Sequence, residues 1–377
     1  MSLHACAGMP LEQARGATAD ALRRLLDLAA RGAAFRAGHG APWIGELPGT
    51  GHLDCVTSGS SGAPKAIRRS LASWQASFEV NRRLFGLAPP DRIATLGALG
   101  HSLALYGVME ALHLGLGTET LHGLRPDRQM ARLAVSGASV LYATPTQLRL
   151  LSGAPAPGLR LVLCGGGALD PATRRQAAAL FPQAEFREFY GASETSFIAL
   201  GGPDTPEGAV GRAYPGVEIE IRRPVEGIGE VWVKSPYLFE RYAEGESAET
   251  RREGGFLTVG ELGRIDAGGF LWLAGRRGRM VTIADRNAYP EAVERLLAAH
   301  LDGRGAAVTA APDPLRGHAL TAWIEGAPDP RLEAELRHRI GAALGPHMVP
   351  RRFAWIARLP LLASGKPDLL ALAGRAE

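Results

Sequence analysis

The stretch TSGSSGAPK, Thr57 to Lys65, decides how the rest of the chain is read. Serine and glycine dominate flexible linkers, and by composition this run is one. Its setting argues otherwise. It follows LDCV (53–56), which reads as a brief strand, and it closes on a lysine. Gly59 and Gly62 let backbone N–H groups approach phosphate oxygens. The hydroxyls of Thr57, Ser58, Ser60 and Ser61 donate further hydrogen bonds, and Lys65 adds charge. The pattern is not a Walker loop, because the lysine stands three residues beyond Gly62 instead of adjoining it. On these residues alone a phosphate cradle and a surface turn both stay open.

The lysine itself is unusual. Only three of the 42 basic residues are lysines: Lys65, Lys234 and Lys366. Arginine replaces lysine on a solvated surface at little cost, but not where a compact ammonium must fit among oxygens. Each surviving lysine is therefore a candidate for chemistry. Lys65 closes the Ser/Gly loop and Lys366 closes ASGK near the C-terminus.

The 377 residues, 46% of them hydrophobic, suffice for two or three domains with sizeable cores. A formal net charge of +4 without basic runs interleaved with aromatics argues against a nucleic-acid partner. Cys6, Cys55 and Cys164 show neither metal-ligand spacing nor a disulfide framework, which fits a reduced cytoplasm. No apolar run reaches membrane-spanning length and no signal segment opens the chain, so a soluble cytoplasmic protein is expected.

Leu22, Leu25 and Leu26 predict an amphipathic helix within residues 10–35. SLASWQASFEVNRRLFG predicts a helix capped by Ser70, with Leu71, Trp74 and Phe78 on one face and Gly86 as its stop. RIATLGAL, SVLYAT, LRLVLC and EFREFY read as strands, alternating with helices through Met109 and Leu112 and from Asp170–Pro171. That alternation, from about 53 to 200, predicts an α/β fold with a mostly parallel sheet. From Gly211 to about 275, short strands with Gly-containing turns (VEIEIRR, GEVWVKS, FLTVGELGRI, GFLWLAG) predict a small barrel-like subdomain. The remainder, with helices YPEAVERLLAAH and RLEAELRHRIGAAL and strands AAVTAA and LTAWIEG, predicts a small α+β domain. The expected organisation is thus a large domain over 1–275 and a mobile C-terminal lid over 276–377.

YGASET, Tyr190 to Thr195, follows a strand, and ligands bind at such strand ends in open α/β sheets. Glu194 suits Mg²⁺ as a hard oxygen ligand, although a solvated Tyr-Gly turn has the same letters. CGGG, Cys164 to Gly167, closes another strand, where its glycines admit a flat ring or simply form a tight turn.

Together TSGSSGAPK, YGASE, VGELGRID, GRRGRMVTIADRNAYPEAVE and LPLLASGK stand in the order found in the adenylate-forming superfamily. That superfamily contains acyl- and aryl-CoA synthetases, the adenylation domains of nonribosomal peptide synthetases, and luciferase. VGRAYPGVEIEI and GEVWVKSPYLFERY resemble its connecting segments, so the resemblance runs from about 53 to 370. It implies that Thr57 to Lys65 cradle the β- and γ-phosphates of ATP. Gly165, Gly166, Gly167 and Tyr190 would bracket the adenine, with Gly191, Ala192 and Ser193 continuing the same turn toward nucleotide and acid. Glu194 would bind Mg²⁺. Glu261 stands where the family has a ribose-gripping aspartate, and Arg276 matches its ribose or phosphate arginine. His101, in GHSLALYG, resembles the histidine beside the acid pocket, although a capped core histidine fits equally. Lys366 would bridge the substrate carboxylate and the α-phosphate.

Three departures bear on function. Only 56 residues precede the loop, so one wall of the acid pocket is expected to be open or supplied by a partner subunit, as in a homo-oligomer. Gly278 and Arg279 replace an acidic hinge pair. Asp285 stands where the family has a glycine lining the pantetheine tunnel, which a carboxylate would narrow and charge unless Arg279 or Arg286 neutralises it. The expected function is an AMP-forming carboxylic acid ligase using ATP and Mg²⁺. It would make an acyl- or aryl-adenylate from a small, apolar or aromatic acid. Transfer to the thiol of coenzyme A, or to the phosphopantetheine of an acyl carrier protein, is expected next. The alternative is a shortened relative that binds nucleotide or acyl ligand without turnover. A kinase-like reading, releasing ADP, has no other support in the sequence.

Overall fold

The computed structural model describes residues 3–38, 43–57, 65–362 and 367–375. Ser58, Gly59, Ser60, Ser61, Gly62 and Lys366 therefore lie outside the described residues. The sequence signals nearest the loop are realised locally. The helix Leu71–Phe85 starts where Ser70 accepts the Ser73 N–H, and it stops at Gly86 in the left-handed conformation. Its inner face buries Trp74, Phe78 and Phe85. The first long helix, Ala17–Ala30, buries Leu22, Leu25 and Leu28.

A nine-stranded sheet carries the α/β part. In spatial order its strands are Arg212–Ala213, Ser196–Leu200, Glu185–Ala192, Leu161–Gly165, Val140–Ala143, Arg92–Thr95, Gly117–Thr120, His4–Cys6 and Met9–Pro10. The six from Glu185–Ala192 to His4–Cys6 run parallel, and the others are antiparallel at the two edges. Runs such as VLYA and LVLCG are buried throughout because helices cover the sheet.

Two further sheets follow. In the five-stranded one, Lys65–Ser70 lies between His52–Thr57 and Arg241–Glu244, and Ala33–Ala37 and Ile44–Thr50 extend the far side. The β-rich stretch after Gly211 thus divides, since Arg241–Glu244 leaves it to pair with the strand that carries Lys65. The rest forms a six-stranded sheet around Ile228–Lys234. Glu218–Val225 flanks that strand on one side, and Phe256–Thr258 and Glu261–Ile265 share the other. The C-terminal part has the hairpin Val281–Ile283/Arg286–Ala288, the sheet Ala306–Asp313, Gly317–Glu325 and Arg352–Ile356, and the helices Pro290–His300 and Pro330–Leu344.

One apolar cluster welds the first two sheets together. Trp74, Phe78, Tyr106, Tyr142, Phe197, Tyr214 and Tyr237 pack edge-on or stacked, with neighbouring rings 4.8–6.4 Å apart. Inside it sits a polar knot. Glu110, fully buried, accepts from Asn81 Nδ2 at 2.7 Å and from the Tyr142 hydroxyl at 2.6 Å. Tyr214 donates to Asn81 Oδ1 at 2.7 Å, and Tyr106 shares a 2.7 Å hydrogen bond with Ser77. No cation is bonded to Glu110 among the described residues, so burial pushes its carboxyl up to about 7. No described helix is long and apolar enough to cross a membrane.

Candidate functional site

Thr57 and Lys65 close the Ser/Gly loop as the last Cα pair of an antiparallel ladder, with Thr57 Oγ1 donating to the Lys65 carbonyl at 3.4 Å. Their neighbour on the open side is Arg241–Glu244. That strand puts the Tyr242 ring 6.0 Å from Lys65 Nζ. The Tyr242 hydroxyl donates to Glu194 Oε1 at 2.9 Å and lies 2.8 Å from Thr250 Oγ1. Burial, and then the Glu194 carboxylate, hold the Tyr242 phenol far above its ordinary range, so it stays a donor.

Glu194 sits in the turn that reverses Glu185–Ala192 into Ser196–Leu200, and several bonds fix that turn. Thr195 Oγ1 accepts the Ala192 N–H at 3.0 Å, and the Glu194 carbonyl accepts from Phe239 N at 2.8 Å. Beneath it lies Arg69, 1% exposed, which donates to the Ser193 carbonyl, to Ser196 Oγ at 2.7 Å and to the Tyr237 carbonyl at 3.2 Å. Trp74 covers the guanidinium at 5.1 Å. No carboxylate is bonded to it among the described residues, and burial pulls its pKa down to about 10.

A second group of side chains adjoins the first through Glu249 and Thr250. Glu249 Oε2 accepts from Arg277 Nε at 3.0 Å, and an added Cβ on Gly260 would strike that same oxygen. Next to Gly260, Glu261 pairs directly with Arg276 across two antiparallel strands, Nε to Oε1 at 2.9 Å. The Glu261 carboxylate raises the Arg276 pKa above its ordinary value. Tyr190 faces this pair. Its hydroxyl is buried with no hydrogen-bond partner among the described residues. Burial, then the Glu261 carboxylate, drives its pKa far up.

The glycines of both strand ends are set by close packing. A Cβ on Gly165 would meet the Phe189 ring at 2.2 Å, and one on Gly191 would meet the Ser196 carbonyl oxygen at 1.9 Å. Gly166 has φ +90°, a conformation that disfavours any side chain there. His101 occupies the position before the helix Ser102–Leu114, half-buried.

Several sequence expectations take a different form. Lys234 is no site residue: it is exposed and pairs with Glu218 at 3.2 Å on the surface. Arg279 does not neutralise Asp285, because Glu291, Glu294 and the Val308 carbonyl occupy it at 2.8–3.3 Å. Asp285 and Ala284, with φ of +59° and +49°, form the two-residue tip of a hairpin. Such a turn demands the left-handed region at both positions, which suits Gly, Asn and Asp. Sequence reasoning missed Arg69, Tyr242 and Thr250.

As chemistry, the arrangement offers an ammonium, an oriented carboxylate and two hydroxyls on one side, and an arginine–glutamate pair with an unsatisfied phenol on the other. No cluster of three His, Cys, Asp or Glu side chains forms a metal cage among the described residues. A single carboxylate still fits Mg²⁺, which takes one or two protein carboxylates and completes its shell with phosphates and water.

These sheets and this site define a member of the adenylate-forming superfamily. A family model described as AMP-binding enzyme matches residues 55–243, and its C-terminal domain model matches 292–366. The chain belongs to the AMP-binding enzyme family. It is 33% identical over 325 residues to YhfT of Bacillus subtilis, described as an uncharacterized acyl-CoA ligase, covering 82% of this chain and 65% of that protein. Amide bond synthetase McbA of Marinactinospora thermotolerans superposes with a TM-score of 0.75 at 28% identity, covering 87% of this chain and 70% of McbA. The o-succinylbenzoate CoA synthetase MenE of Bacillus subtilis, solved with its acyl-adenylate, gives 0.73 at 25% identity over 85% and 68%. The chain thus spans about two thirds of the length of YhfT.

Proposed function

We propose that the chain is an ATP-dependent, AMP-forming carboxylic acid ligase. The observation that carries this reading is the joining of Lys65 to Glu194 through Tyr242, two motif residues 129 positions apart in sequence brought to one side chain. The similarity to YhfT, and to MenE with its bound acyl-adenylate, supports it.

The chemistry follows from charge. A carboxylate oxygen bonds to the α-phosphorus of ATP while the bond to the β-phosphate oxygen breaks and pyrophosphate leaves. An anion thereby approaches a polyanion, and each contact between unit charges is worth about 4 kcal/mol at a protein-like dielectric. Lys65 meets the leaving end, and Lys366, by resemblance, meets the attacking oxygen and the α-phosphate. Mg²⁺, when bound, neutralises charge on the departing pyrophosphate. Glu194 holds it, and Glu261, Arg276 and Tyr190 receive the nucleoside. The protein's work is therefore positioning and electrostatic preorganisation. In a second step a thiolate attacks the acyl carbon, forming a thioester and releasing AMP.

Pyrophosphate exchange into ATP across fatty, aryl and amino acids tests the first step, with exchange expected for at least one small apolar or aromatic acid. Adding coenzyme A, a phosphopantetheinylated carrier or an amine then identifies the acceptor, since McbA is an amide bond synthetase. The second reading, binding without turnover, is favoured by the carboxylate of Asp285 at the hairpin tip, where the resembled family has a glycine. ATP binding with no exchange for any acid selects it. The proposed organisation is an ATP- and acid-binding region to about residue 275 followed by a C-terminal lid.

A further inference from the structure

We infer that Tyr242 is the positioning residue that fixes the Glu194 carboxylate for a divalent cation, with Thr250 orienting the Tyr242 hydroxyl. The inference rests on the assignment of Glu194 proposed above. Tyr242 donates to Oε1 of Glu194 at 2.9 Å. A phenol has one proton, so the 2.8 Å contact with Thr250 must then run from the threonine hydroxyl to the phenolic oxygen. Thr250, Tyr242 and Glu194 thus form a directed chain that ends on one carboxylate oxygen. Oε2 of Glu194 is left for the cation. A free glutamate has three side-chain torsions to settle when it takes a metal. Here the hydroxyl settles them in advance, which is how outer-shell partners raise metal affinity.

The same side chain reports to the phosphate loop. Its ring lies 6.0 Å from Lys65 Nζ, and its strand is hydrogen-bonded to the strand of Lys65, with Tyr242 opposite Ile67. The cation and the lysine are therefore held in fixed relation by one residue. Tyr242→Phe keeps the ring and its place beneath Lys65 but deletes the hydroxyl, which separates the two roles.

The test is calorimetric titration of the full chain with ATP, with and without Mg²⁺. In Tyr242→Phe the ratio of the two affinities falls roughly tenfold, the usual loss when an outer-shell partner of a metal ligand is removed. Thr250→Val moves the ratio in the same direction by less. Placing Tyr242→Phe on Glu194→Gln adds no further loss. An unchanged ratio in folded Tyr242→Phe overturns the inference, as do equal losses with and without Mg²⁺. Additive loss on Glu194→Gln, or no Mg²⁺ dependence in the unsubstituted protein, also overturns it. Should the phenylalanine variant fail to fold, Thr250→Val is judged by the same criteria. Failure of the ligase reading shows separately, as absent pyrophosphate exchange with the binding ratio still measurable.

Discussion

The Arg69 guanidinium donates to the Ser196 hydroxyl at 2.7 Å and to the Ser193 carbonyl, so a fully buried cation holds both ends of the turn that presents Glu194. The two terminal nitrogens of Arg69 meet neutral oxygens only, and its Nε has no partner among the described residues. Removing them strands those oxygens in the core.

Arg69→Met should therefore cost about 3 kcal/mol or more of stability, the scale for breaking a buried charged network. Arg69→Lys should lose less, because the charge remains while the fork of donors is lost. Urea unfolding of the three proteins ranks them; equal midpoints would remove Arg69 from this role.

Glu110 gives a pH signature. Its carboxyl has a folded-state pKa of about 7 against an ordinary 4.5, so the fold favours the protonated form. The contribution is complete below about pH 4.5 and is lost as pH rises through 7. Between pH 4.5 and 8 the unsubstituted protein should lose about 3 kcal/mol relative to Glu110→Gln, which does not titrate there. Denaturant titrations of both proteins at several pH values read this directly.

Glu261→Asp draws the carboxylate back by one methylene and opens its 2.9 Å contact with Arg276. KM for ATP is expected to rise on the order of tenfold with little change in kcat, the loss of one charge-assisted hydrogen bond. Exchange kinetics at varied ATP decide it, and an unchanged KM would place the pair outside nucleotide binding.

Two glycines should respond differently to alanine. At Gly191 the new Cβ meets backbone, the Ser196 carbonyl oxygen at 1.9 Å, which cannot yield without opening the turn. At Gly165 it meets the Phe189 ring, which is only partly buried and can swing. Gly165→Ala should cost about 1–3 kcal/mol, and Gly191→Ala more, with loss of ATP binding.

Lys366→Ala should abolish pyrophosphate exchange while ATP binding stays within a few-fold, because the lysine's proposed work is on the reacting oxygens and not on holding the nucleotide. Parallel exchange and calorimetry separate the two.

What the sequence made legible was local. Ser70 and Gly86 bracket a helix by capping chemistry that needs no tertiary partner, and both positions are the observed caps. The parallel strands VLYA and LVLCG announced themselves as apolar runs. The five-stranded sheet was not legible, because IGELPGT carries glycines and a proline that read as loop, and because Arg241–Glu244 pairs with a strand some 170 positions earlier. Arg69 stands in no motif of the sequence. Its only signal was the alternation that puts it on the face of Ile67, both buried, while Arg68 turns out to Asp54. Tyr242 gave no signal of its own; its position is a product of strand pairing. Scarcity of lysine pointed to Lys65 but also to Lys234, which is exposed, pairs with Glu218 and lies over the Phe256 ring.

Arg276 is tied to Glu261, Arg277 to Glu249 and to the Gly260 carbonyl, and Arg279 to Glu291 and Glu294. Between these tethers only Gly278 is left. Its backbone lies outside the left-handed region, and a methyl there would rest 3.6 Å from Glu249, an ordinary contact. The conformation seen thus makes no use of glycine's latitude. That latitude is held in reserve where the strand Leu271–Arg276 hands over to the residues that follow, and the swivel of the proposed C-terminal lid would draw on that single pair of torsions.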